Sequence, residues 1–149
     1  NKDGILEIPV QENVPAVTGD ALAEKLYLTN WCSFDGENLT VQTTTMINVN
    51  DGYYFTIPTK WRNRIAVLKD TENRIREVYL YNYKQSVIGE SLICIRAFNK
   101  KDWDTGKYNE LRMNEIARND NTVYAYKLND AIIDMGITHN DVEKAFVLY

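Results

Sequence analysis

Leu39-Thr40-Val41-Gln42-Thr43-Thr44-Thr45-Met46-Ile47-Asn48-Val49-Asn50-Asp51-Gly52-Tyr53-Tyr54-Phe55-Thr56-Ile57-Pro58 is the stretch on which the fold class turns. Leu39, Val41, Thr43 and Thr45 alternate with Thr40, Gln42 and Thr44, which is the period of two expected of a strand. The β-branched residues that fill it suit a pleated surface. Asn50-Asp51-Gly52 supplies turn chemistry, and Tyr53 to Ile57 reads as a second, shorter strand. Pro58 ends that strand because it has no N–H for the ladder. Two strands joined by a tight turn imply an antiparallel pair.

Reading outward toward the start of the chain, Asp35-Gly36 is another hairpin dipeptide, and Leu26, Leu28 and Trp31-Cys32 form the strand before it. Pro9 and Pro15 bracket a polar stretch, so Val10 to Gly19 reads as an extended linker. The expected division is therefore a trailing segment at 1–19 and a β-rich domain at 20–149.

Toward the other end, Ile65–Lys69 and Ile75–Tyr83 flank a turn at Asp70–Arg74. Val78, Leu80 and Asn82 then face one way and Tyr79, Tyr81 and Tyr83 the other. Gln85–Glu90 reads as a loop, and Ser91–Phe98 as the most apolar strand. Lys100–Asn119 is polar and poorly periodic, with Trp103, Tyr108, Leu111, Met113 and Ile116 as expected anchors. Thr122–Leu128 is a further strand, and a short helical turn is expected at Asp130–Met135. Thr138 with Asp141 three residues later predicts a capped helix whose Val142, Ala145 and Phe146 share one face. The expected class is α+β: mostly antiparallel sheet, as a sandwich or partly open barrel, with a short C-terminal helix. Trp61 follows the Pro58 break among Lys60, Arg62 and Arg64, and is expected to turn inward as a core anchor while the charges stay in water.

The chain has 149 residues, enough for one domain with a real core. Its net charge of −4 argues against general affinity for nucleic acid or anionic membrane. The region 60–101 is basic, and strand faces bearing solvated Lys and Arg account for that. No apolar run is long enough to span a bilayer. The opening residues lack the pattern of a signal peptide, so any export signal is expected upstream. Cys32 and Cys94 stand 62 positions apart in apolar strands. That is no zinc spacing, and two buried free thiols are expected rather than a disulfide.

Chemistry is hard to place on this sequence. His139 is the only histidine and lies at a helix start, where an exposed neutral ring is expected. No nucleophile motif surrounds any Ser or Cys. Glu24, Asp35, Glu37, Asp51 and Asp104 are carboxylates that a glycosidase would need to converge, but acids beside turns are ordinarily turn formers. The seven glycines are spread one per turn and make no phosphate cradle. No enzyme activity, metal or cofactor is expected. The aromatic residues are read first as core and cross-strand ladder. The alternative is a ligand platform made of Trp31, Trp103, Tyr79, Tyr81 and Tyr83.

Three segments resemble a family. Asn1-Lys2-Asp3-Gly4-Ile5-Leu6-Glu7-Ile8-Pro9 is similar to the close of an FG-GAP/VCBS-like propeller repeat. Asp51 to Trp61 resembles the "D-G-Y-x-F-x-I-P-x-x-W" segment of uncharacterised exported lipoproteins of low-GC Gram-positive bacteria. Ile137 to Phe146 resembles the closing "L-T-x-x-x-V-x-x-x-F" helix of the same proteins. The resemblance implies a non-catalytic structural or interaction domain of a larger exported protein. Such a protein is extracellular and held at the cell surface through a segment outside this chain. A monomer is expected, with a protein or glycan partner; the alternative function is a carbohydrate or cell-wall binding module using exposed aromatics.

Overall fold

A computed structural model describes residues 6–12, 26–70, 77–84, 87–130 and 136–149. The decisive stretch folds as its alternation requires. Strand β2 (Leu28–Phe34) turns at Asp35–Asn38 into β3 (Leu39–Asn48), which turns again into β4 (Tyr53–Thr56). At the first turn Asp35 Oδ1 accepts from the backbone N–H groups of Glu37 and Asn38. These bonds hold its carboxyl below the usual range. Gly36 at φ 106° and Gly52 at φ 70° take the left-handed conformations that the two turns need.

Two further strands extend the first sheet and begin the second. Strand β1 (Ile8–Glu12) pairs antiparallel with β2, Pro9 opposite Trp31. Residues 8–12, placed by the sequence in a trailing segment, are thus an edge strand. Two prolines and polar neighbours hide it, because an edge strand needs a ladder on one side only. The expected linker beyond Glu12, the turn at 71–74 and the helical turn at 131–135 lie outside the described residues. After β4, a single 3-10 turn at Thr59–Trp61 carries the chain into β5 (Ile65–Asp70) and the second sheet.

That sheet continues through β6 (Glu77–Lys84), β7 (Val87–Asn99), α1 (Lys100–Asp104), a 3-10 turn at Asn109–Leu111, β8 (Asn114–Arg118) and β9 (Thr122–Leu128). Val87–Glu90, read as a loop, belongs to β7: Tyr83 pairs with Ile88 and Lys84 with Val87. Gly89 lies so near Asn82 that a Cβ would meet its carbonyl at 3.3 Å, so this glycine marks close packing within the hairpin. The polar stretch 100–119 likewise holds a helix and a strand. A register shift between Glu115 and Ala117 breaks the alternation that would have announced β8.

The chain ends with α2 (His139–Ala145) and β10 (Phe146–Leu148). Thr138 and Asp141 form the expected capping box. Phe146, expected on the helix, is instead extended and pairs with Phe55. The sheet orders are β1-β2-β3-β4-β10 and β5-β6-β7-β9-β8, every pairing among the described residues antiparallel and neither sheet closed into a barrel.

Both sheets bury one face in a common core. Leu28, Met46, Tyr53, Phe55 and Phe146 come from the first sheet, and Val78, Leu80, Ile93, Ile95, Tyr124 and Tyr126 from the second. Ile137, Val142 and Ala145 bring α2 onto the same cluster. Tyr53 stacks on Phe146 at 4.8 Å and meets Tyr124 edge-on at 5.8 Å, so rings from the two sheets touch directly. The Tyr124 hydroxyl donates to the Asp51 carbonyl at 2.6 Å, satisfying a polar group inside the core.

Trp61 is fully buried in this cluster. Pro58 stops β4, the 3-10 turn swings the indole inward, and Lys60 and Arg64 stay exposed. Arg62 reaches back to the Gln42 carbonyl at 2.8 Å, tying the crossing to β3. Replacing Trp61 by Ala is expected to cost about 3–5 kcal/mol, as large-to-small core changes do. A denaturant melt of the variant checks this, and a loss below about 1 kcal/mol would mean that the indole is not a core anchor.

Candidate functional site

Because the inner faces are committed to packing, binding chemistry falls to the outer faces, and these differ. On the second sheet Arg96 pairs with Glu77 at 3.0 Å, and the Tyr79 hydroxyl donates to the same carboxylate at 2.7 Å. The Arg96 guanidinium lies over the Phe98 ring at 4.7 Å. The segment carrying α1 folds across this face and packs Trp103 and Tyr108 on Phe98, at 4.9 Å and 4.7 Å. Asn99 caps α1, its side chain accepting from Lys101 and Asp102 N–H, which fixes where the segment folds over.

On the first sheet the outer face carries a groove among the described residues. Its volume is about 490 Å³, and it is lined by Glu7, Trp31, Thr43, Thr45, Ile47, Tyr54, Thr56 and Tyr149. The register puts these on one face: Trp31 opposes Thr43, Thr45 opposes Thr56, and Ile47 opposes Tyr54. The Trp31 indole N–H donates to Thr45 Oγ1 at 2.9 Å. That bond satisfies the ring's one polar group within the sheet, so what Trp31 has left to offer a ligand is its apolar ring. Trp31 is half-buried and Tyr149 is 65 % exposed. The hydroxyls of Thr43, Tyr54 and Thr56 have no hydrogen-bond partner among the described residues. Such a groove suits binding by ring stacking and hydroxyl hydrogen bonds, and Glu7 is the one side-chain carboxylate among its described lining residues.

The aromatic set expected to form one platform is divided between the sheets. Trp31 lines the groove, whereas Tyr79, Tyr81 and Tyr83 lie half-buried on β6. Trp103 is engaged with Phe98. Alternation fixes which side of a strand a residue occupies, but not which sheet the strand joins. Tyr54 and Tyr149 were missed. Tyr54 was legible as the one aromatic of Tyr53-Tyr54-Phe55 out of phase with its buried neighbours, but Tyr149 follows a strand that the sequence hides.

The carboxylates stand apart: Asp35 and Glu37 in the exposed turn, Asp51 buried against Asn48 at 2.9 Å, and Asp104 beside Arg118. Glu24 lies outside the described residues. His139 is exposed, with Nδ1 2.8 Å from the Tyr126 hydroxyl. Among the described residues no three His, Cys, Asp or Glu gather closely enough to hold a metal ion. No helix among them is long and apolar enough to cross a membrane. Cys32 and Cys94 are buried free thiols, as expected. Comparison with protein-family models, with curated proteins and with solved structures found no match.

Several weak acids are held in their neutral forms. Burial, then the charge of Glu77, pushes the Cys94 thiol from 9.0 up to about 12. Burial likewise raises the Tyr126 hydroxyl to about 12, and those of Tyr53 and Tyr79 above the ordinary 10.0. In the unfolded chain these groups lose their protons at the ordinary values, while the folded protein keeps them. The unfolded state therefore binds fewer protons at high pH, and stability falls as pH rises from about 9 toward 12. Absorbance titration of the ten tyrosines is expected to show Tyr53, Tyr79 and Tyr126 ionising only as circular dichroism is lost. Titration of all ten together with the fold intact would contradict the burial described here.

Proposed function

We propose that this chain is a non-catalytic interaction domain of a larger exported protein held at a bacterial cell surface. It engages its partner through the outer face of the sheet containing β2, β3 and β4. The observation that carries this reading is the groove lined by Trp31, whose indole N–H is bonded to Thr45. Two contrasts support it. The corresponding face of the other sheet is covered by its own α1 segment. Among the described residues the groove lining has one carboxylate and no histidine, cysteine or lysine, so they set no oriented acid–base or nucleophile pair in it. The surface setting rests on the resemblance of residues 1–9, 51–61 and 137–146 to exported lipoproteins.

Co-sedimentation with purified Gram-positive cell walls that retain their surface proteins tests the reading. The wild-type domain is expected to pellet with the walls. Trp31→Ala and Tyr54→Ala are expected to stay largely in solution, and Tyr79→Ala on the other sheet to pellet like the wild type. A wild type that does not pellet, or a Trp31→Ala variant that pellets as well as the wild type, would overturn the proposal.

A further inference from the structure

The groove is specific enough in chemistry to indicate its ligand. We infer that it takes a neutral, gluco-configured oligosaccharide, laid across β2, β3 and β4 between Trp31 and the Tyr54–Tyr149 end; this rests on the reading that the outer face is the binding surface. Charge decides the first point. Among the described residues neither Lys nor Arg lines the groove, and the chain carries a net −4. A polyanion would find no cation to pair with among the described lining residues and would meet the chain's net negative charge.

Spacing decides the second. Trp31 and Tyr54 lie two strands apart and four positions apart along β3, about 16 Å between backbones at ordinary sheet spacings. Trp31, Tyr54 and Tyr149 make no ring contact with one another. An aromatic cage for a small cation needs its rings within about 6 Å of one point, which these backbone positions do not favour. The ligand must be extended.

Backbone pairing decides between an extended peptide and an extended glycan. A peptide docked on a sheet draws its affinity from an open edge. Here β3 is hydrogen-bonded on both sides, by β2 and β4, and β4 by β3 and β10. The groove floor therefore offers ring faces and side-chain hydroxyls but no free strand edge. A peptide would strand its own amides there, each left without a partner in a desolvated site. A gluco-configured pyranose has the opposite distribution: its axial C–H bonds form apolar faces and its equatorial hydroxyls form a polar rim. The faces match Trp31 and Tyr54, and the rim matches the hydroxyls of Thr43, Thr56 and Tyr54 between them.

Isothermal titration calorimetry on the whole chain, with cellotetraose, N-acetylchitotetraose and tetragalacturonate as probes, tests the inference. At least one of the two neutral sugars is expected to bind, and the anionic sugar not to. Trp31→Ala is expected to weaken binding about tenfold, and Tyr149→Ala about three- to tenfold, the worth of an aromatic contact. Tyr149 is exposed and its replacement leaves the core intact, so it tests the site even if Trp31→Ala misfolds. Binding of neither neutral sugar, equal binding of the galacturonate, or indifference to both substitutions would overturn the inference. If the sugars fail while walls still pellet the domain through Trp31, and protease treatment of the walls abolishes this, the outer face stands as the binding surface. Its ligand is then a protein, not a glycan.

Discussion

The contact on which the structure depends is the meeting of two sheets along their inner faces. Each sheet alternates apolar and polar residues and so leaves one apolar face that only the other can cover. Tyr53, Tyr124 and Phe146 meet across that interface as touching rings. The Tyr124 hydroxyl finds the Asp51 carbonyl at the turn between β3 and β4, so the polar end of a buried ring is satisfied by the neighbouring sheet. Trp61 sits where the chain passes from one sheet to the other, which is why the connecting turn is itself part of the core. The chain returns through α2, and Phe146 in β10 joins the first sheet beside Phe55.

That commitment sorts the molecule's surfaces. A residue whose neighbours in sequence point inward must point outward, so Trp31, Thr43, Thr45, Tyr54 and Thr56 share the outer face of the first sheet by register alone. The second sheet's outer face is closed by Phe98, Trp103, Tyr108 and the Arg96–Glu77 pair. The asymmetry has a local cause. Asn99 caps α1 immediately after β7 and folds the next segment back over that sheet, whereas β3 turns directly into β4 at Asn50-Asp51-Gly52 with no segment between them to fold over its face.

Where the sequence was legible, a short-range rule was at work. The turns at Asp35-Gly36 and Asp51-Gly52, the Pro58 break, the Thr138–Asp141 capping box and the burial of Trp61 each follow from a few adjacent residues. Where it was not, the deciding partner lay far along the chain. Ile8–Glu12 is a strand because β2 offers an edge, and Phe146–Leu148 is one because β4 does. Val87–Glu90 extends β7 because Tyr83 and Lys84 are there to pair with it, and β8 is masked by its own bulge. The groove shows the same division. Trp31 was named as a candidate from the sequence, but which residues line the groove beside it, Tyr54 and Tyr149 among them, depended on which strands lie side by side, as did the separation of Trp31 from Tyr79, Tyr81, Tyr83 and Trp103.

If the sheets do stand on one core, neither can open alone. Native-state amide hydrogen exchange of β3 and β7, the central strands of the two sheets, tests this most directly. The slowest amides of both strands should report the same free energy of opening, within about 1 kcal/mol, and the same dependence on denaturant. Exchange of β3 through an opening several kcal/mol below that of β7, with β7 still protected, would contradict a shared core and make the sheets separate units.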